Sequence, residues 1–265
     1  MSEEGHAGRN GAERAEVILV AGLLVAVALQ VLNVACAGAL DRLEHSWILS
    51  LLLLIGAVGF AVRVLLRAGA DARAVLSEPW RSPLPWCVVV VLLVQVAVYP
   101  PMMNDSLAYR LPRMFLALQE GRLGGFATPD GRMMMMPWGW ESMALPFAAL
   151  NLVAWARVVN VAAWMAVYHL CCRMALGHGL EARKARWLSL ALASAPFLLI
   201  QGASTANDLY AGVLLLAGAW MIDRFRCMPG PVPVMGSLLA VVLAANVKPQ
   251  FLVLGVAWLV WWLFA

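Results

Sequence analysis

Charged side chains are scarce in this sequence: Asp, Glu, Lys and Arg make up 13% of 265 residues, against 63% apolar. A soluble domain carries about 25% charged and about 45–50% apolar residues. The scarcity excludes an ordinary soluble domain and points to an integral membrane protein. Cysteine is also sparse. Cys36, Cys87, Cys171, Cys172 and Cys227 all lie in or beside apolar runs, which excludes a disulfide framework and leaves free thiols. Adjacent Cys171 and Cys172 would point to different faces of a helix. They read as small apolar filler rather than as a metal or palmitoylation site. Histidine is absent from the polar stretch Tyr99–Glu141, so a metal signature there is weak. A secretory signal pattern is missing too. The run Val17–Leu40 is too long for a signal core and has no clear cleavage site after it.

What is present is a series of long apolar runs. A membrane-crossing helix needs about 20 mostly apolar residues and satisfies its backbone internally. The pattern predicts a polar, cytoplasmic tail over 1–16. It then predicts spans at about 17–40, 47–66, 84–101, 158–174, 187–202, 209–222, 234–246 and 251–265. The last two come from one apolar region broken at Asn246-Val247-Lys248-Pro249-Gln250. The expected fold class is all-α, a polytopic transmembrane helical bundle.

Arginine and lysine set the expected orientation. Arg9 and Arg14 precede the first run. Arg63, Arg67, Arg73 and Arg81 follow the second. Arg173, Arg183, Lys184 and Arg186 follow the fourth, and Arg224 and Arg226 the sixth. Placing these on the cytoplasmic side gives a consistent alternation. The N-terminus is then cytoplasmic, and the loop 102–157 lies outside the inner (plasma) membrane.

That loop is the long polar interval of the chain. Asp105 opens a helix-like segment, as a base or as a helix N-cap. Arg110 and Arg113 lie three apart, on one helical face, and Pro112 limits or kinks the helix. Leu111, Phe115, Leu116 and Leu118 offer an apolar side to the membrane interface. Gly121, Gly124 and Gly125 stop the segment. A second interfacial helix is expected from Trp138 to Leu150, with Trp138, Trp140 and Trp155 at headgroup level. The Met133–Met136 run reads as packing against lipid or a lid rather than as a copper site. Arginines beside carboxylates suggest a phosphate grip, since guanidinium pairs bidentately with phosphate oxygens. The competing reading is arginines on anionic headgroups. Glu141 reads as a helix cap or as an acceptor or cation ligand. Lys248, an ionisable group in an apolar region, marks a site or snorkels to the interface. His169 reads as a packed core histidine.

The segment Asn104-Asp105-Ser106-Leu107-Ala108-Tyr109-Arg110-Leu111-Pro112-Arg113 resembles the first external loop of bacterial GT-C glycosyltransferases, of the family 39 and aminoarabinose-transferase-like group. Gln119–Leu123, Thr128–Arg132, Pro137–Glu141, Arg157, Asn160, Gly202–Asp208 and Asn246–Lys248 continue the resemblance over residues 84–255. The resemblance implies a GT-C-like bundle with juxtamembrane helices in the external loop. It also implies inverting transfer of a hexosyl or pentosyl group from a polyprenyl-phosphate-linked sugar to an acceptor, with membrane lipids as surroundings and no nucleic acid. Asp105 would be the catalytic base. Arg110, Arg113, Arg132 and Lys248 would hold the donor phosphate. Tyr109, Asp130, Glu141, Asn207 and Asp208 would line the acceptor side or pocket. No cofactor is assigned, and a divalent cation at Asp130 or Glu141 stays open. Two features depart from the family pattern: three spans precede the Asp loop, and the chain ends inside an apolar run, as a short or C-terminally truncated member would. A transporter-like subunit and a non-catalytic membrane protein are the competing classes. A transporter would place charge or broken helices near the bilayer midplane, and here only Lys248-Pro249 fits that pattern, while the long polar loop is expected outside.

Overall fold

The computed structural model describes residues 3–68, 74, 76–101, 106–126, 128, 131, 133, 137–225 and 228–264. The regular structure among these residues is helical, with no strand among them. The helices are α1 (Glu3–Ala39), α2 (Ser46–Arg67), α3 (Pro83–Val98), α4 (Leu111–Glu120), α5 (Gly139–Ala149), α6 (Val158–Gly177), α7 (Ala182–Ala193), α8 (Pro196–Gly202), α9 (Asp208–Phe225), α10 (Pro231–Val247) and α11 (Gln250–Phe264). Three segments are long and apolar enough to cross a membrane: Gly11–Ala39, Ser46–Arg67 and Val153–Gly177. Pro83–Val98, Pro231–Val247 and Gln250–Val260 are shorter apolar helices.

Several boundaries follow from local chemistry. Pro83 and Pro231 sit in the first turns of α3 and α10, where the missing N–H costs nothing. Gly121 takes φ 72° and ends α4, a conformation that costs glycine little. Pro249 cannot continue α10, and the chain breaks at Lys248 before α11 begins.

Two expectations change. Residues 3–16 are not separate from the first apolar run. The helix runs without a break from Glu3 into the first apolar run, and Glu13 and Glu16 are buried. The single span over 187–202 is two helices, α7 and α8, separated at Ser194-Ala195 before Pro196. Trp164 Nε1 donates to the carbonyl of Ala193 at 2.7 Å, so an α7 carbonyl near the break is bonded within the protein.

The bundle has two polar ends. At one, Glu16 receives two hydrogen bonds from Arg173 Nε and one from its Nη2, at 2.8–2.9 Å. His169 Nε2 lies 3.2 Å from Glu16, and Trp80 Nε1 donates to His169 Nδ1. Arg224 pairs with Glu13 at 3.7 Å and donates to the carbonyl of Arg173. His169 is therefore part of an ionic lock between α1 and α6, not simply packed in the core. Because Nδ1 accepts from Trp80, Nε2 carries the proton and donates to Glu16. The opposite end gathers the chain around 99–101, 106–113, 137–160, 201–208 and 246–248.

Candidate functional site

The site at that opposite end is built on α4 and α5. A π-helical turn, Ser106–Arg110, leads into α4. Leu111, Met114 and Ala117 of α4 are buried, and so are Arg110 and Arg113. The helix therefore turns its arginine face inward. Phe115 is exposed, while Leu116 and Leu118 pack against the core. The reading that put Leu111 on an interfacial side is corrected by this rotation.

What holds two arginines inside is Glu141, in the first turn of α5. Arg110 is 1% exposed, Arg113 0% and Glu141 1%. Glu141 Oε1 lies 3.6 Å from Arg110 Nη1 and 3.9 Å from Arg113 Nη1. Aromatic faces complete the cage. The Arg113 guanidinium sits 3.8 Å from the centre of the Trp138 ring, and Arg110 lies over Tyr109 and Trp140. Such contacts favour the cation over a ring face. Arg110 Nη2 donates to the Tyr109 hydroxyl at 3.1 Å. Burial pushes Arg113 below its usual range. Glu141 opposes that shift and Arg110 adds to it.

Among the described residues, two guanidinium groups face one carboxylate in a buried place. Arg110 Nε and Nη1 and Glu141 Oε2 make no hydrogen bond among the described residues. Buried polar atoms without partners are uncommon in native proteins. An anion beside Arg110 would satisfy its unbonded donors. A divalent cation on Glu141 Oε1 would meet two guanidinium groups within 4 Å. Glu141 is also not a helix cap, since it lies within α5 and faces the arginines.

The first turn of α5 touches the break after α10. A Cβ on Gly139 would fall 2.8 Å from the Asn246 carbonyl oxygen and from the Val247 nitrogen, so glycine permits this approach. Asn207 Nδ2 donates to the Val247 carbonyl at 3.4 Å. Lys248 Nζ donates to Asp208 Oδ1 in a close ion pair. Expected as a phosphate cation, Lys248 here already has a carboxylate partner.

Asn160 ties the same region together. It is fully buried. Its Oδ1 accepts from Trp140 Nε1 at 3.0 Å, and its Nδ2 donates to the carbonyls of Gln201, Ser204 and Ala206. Arg157 donates to the carbonyls of Val96, Tyr99, Ala154 and Ala203, which closes the C-terminal end of α3. Both residues hold backbone rather than face a ligand.

Among the expected site residues, Tyr109, Arg110, Arg113 and Glu141 are brought into one cluster. Asn207, Asp208 and Lys248 form a second group at the same end. Asp105, Asp130 and Arg132 lie outside the described residues. Sequence reading missed Gln201. Its Oε1 accepts from the Leu209 N–H at 2.7 Å, and its Nε2 donates to Asp208 Oδ2 at 3.3 Å. A buried amide at the end of an apolar run was its available signal. No family model matches the chain, and no curated protein and no solved structure matches it.

Proposed function

We propose that this chain is a multi-pass membrane glycosyltransferase of the GT-C kind. It moves a hexosyl or pentosyl group, with inversion, from a polyprenyl-phosphate donor to an acceptor at the external face of the inner membrane. The observation that carries the proposal is buried Arg110 and Arg113 side by side at Glu141, with two Arg110 nitrogens unbonded among the described residues. That is the electrostatics an enzyme needs where negative charge builds on a departing phosphate. The resemblance of 104–113 and 137–141 to the family loops supports the same reading.

In this reading Asp105 takes the proton of the acceptor. Arg110 and Arg113 hold the phosphate, with Arg132 beside them. Tyr109, Asp130, Asn207 and Asp208 line the acceptor side. Glu141 keeps the two guanidinium groups together while the site is empty. The orientation has the N-terminus cytoplasmic and the site external, following the arginine-rich junctions.

The test is a transfer assay in membranes with labelled polyprenyl-phosphate sugars, comparing the unmutated protein with Asp105→Asn. The change keeps side-chain size and removes basicity. Transfer by the unmutated protein and its loss at equal expression is the expected result. No transfer from any donor tested, or a variant keeping half the rate at saturating substrate, contradicts the proposal.

A further inference from the structure

Lys248 and Asp208 are unequal partners. Asp208 opens α9 and is held by Gln201, whose buried amide also accepts from the next residue's N–H. Its carboxylate is thus fixed from behind. Lys248 sits at the break between α10 and α11, with extended backbone at φ −147° and ψ 119°. The side chains are 22% exposed for Lys248 and 36% for Asp208, so the pair is open on one side. A lysine is a point charge on a flexible stem. Of the two groups, Lys248 has the longer and more flexible side chain.

We infer that Asp208 is a displaceable counter-ion that parks Lys248 until a doubly charged phosphate forms. The inference rests on the glycosyltransferase reading and adds a charge-selective step to it. In the transfer, the acceptor atom bonds to the anomeric carbon and loses its proton to Asp105. The bond from that carbon to the phosphate oxygen breaks, and its electron pair leaves with the phosphate. A phosphodiester with one negative charge becomes a phosphomonoester with about −1.5 to −2 at neutral pH. The donor competes with Asp208 as one anion against another of equal charge, and Asp208 is already in contact. The leaving phosphate carries more charge and draws the ammonium across. Lys248 then acts mainly on the leaving group. This is binding reserved for the later part of the reaction, where it raises turnover.

A simple structural pair, tying the start of α9 to the α10–α11 break, makes a different prediction. It would lower stability when broken and leave anion affinity alone.

The experiment measures binding of a polyprenyl monophosphate to the purified protein in lipid nanodiscs. It compares the unmutated chain, Asp208→Asn, Lys248→Gln and the double variant, each checked for thermal unfolding. Gln201 Nε2 can still donate to the carbonyl of an asparagine at 208, so that variant keeps its hold on Gln201. Asp208→Asn should tighten binding roughly tenfold, the scale of coupling between contacting residues. Lys248→Gln should weaken it. In the Lys248→Gln background, the Asp208 change should have little effect. Equal tightening with and without Lys248 would show Asp208 acting as bulk charge and overturn the inference. Unchanged or weaker binding in folded Asp208→Asn would overturn it as well. No binding by the unmutated protein would remove both this inference and the phosphate reading beneath it.

Discussion

Replacing Glu141 with glutamine tests the buried charge cluster directly. The change keeps shape and removes the charge that faces Arg110 and Arg113. Removing one partner of a buried ion pair costs about 3–5 kcal/mol. The distances of 3.6 and 3.9 Å are long for hydrogen bonds, and Trp138 still faces Arg113. Both facts put the expected loss at the lower end, about 3 kcal/mol. At about 2–4 °C per kcal/mol for a chain of this class, the Tm should fall by roughly 6–12 °C. The assay is thermal unfolding of the purified protein in detergent, followed by size-exclusion chromatography. Adding Arg113→Gln to Glu141→Gln removes one positive charge for the negative charge already lost. The double variant should therefore be no less stable than Glu141→Gln alone. A Tm within about 2 °C of the unmutated protein for Glu141→Gln would refute the reasoning, because two buried guanidinium groups would then need no carboxylate.

Other outcomes follow from the same geometry. Asn160→Ala strands the Trp140 N–H in a buried place and removes a donor from the carbonyls of Gln201, Ser204 and Ala206, at about 1–3 kcal/mol for each group left unsatisfied. A large drop in Tm and in monodisperse protein is expected, and a near-normal Tm would contradict it. For the proposed orientation, a cysteine at position 106 in a cysteine-free chain should react with an impermeant reagent from the external side. Reaction only after the inner membrane is opened would contradict that orientation and the proposed mechanism together.

Much of the fold was legible because apolar run length and proline sit in the local sequence. Pro249 announced the break after Lys248, and Gly121 announced the end of α4. The break at Ser194-Ala195 was also signalled, by Pro196, but the apolar run continued across it and hid the interruption. The inward rotation of α4 was not legible. Its pattern offers both an apolar and an arginine face, and the groups that face the buried arginines, Glu141 and Trp138, come from a later segment. The lock of Glu16 with Arg173 joins residues 157 positions apart. Nothing local marks it, and it turned an apparent polar tail into part of the bundle. The two site groups were readable as residues but not as partners. Asp208 and Lys248 both read as pocket groups, and their neutralising contact appears only in three dimensions.

The most direct test of the account is the turnover of Arg113→Gln per folded molecule, with abundance and donor Michaelis constant measured alongside. If Arg113 stabilises the departing phosphate, turnover should fall by about a hundredfold, the scale of losing one transition-state donor, beyond any change in donor affinity. A folded variant with unchanged turnover and an unchanged Michaelis constant would contradict the account and leave the cluster of Arg110, Arg113 and Glu141 as structural.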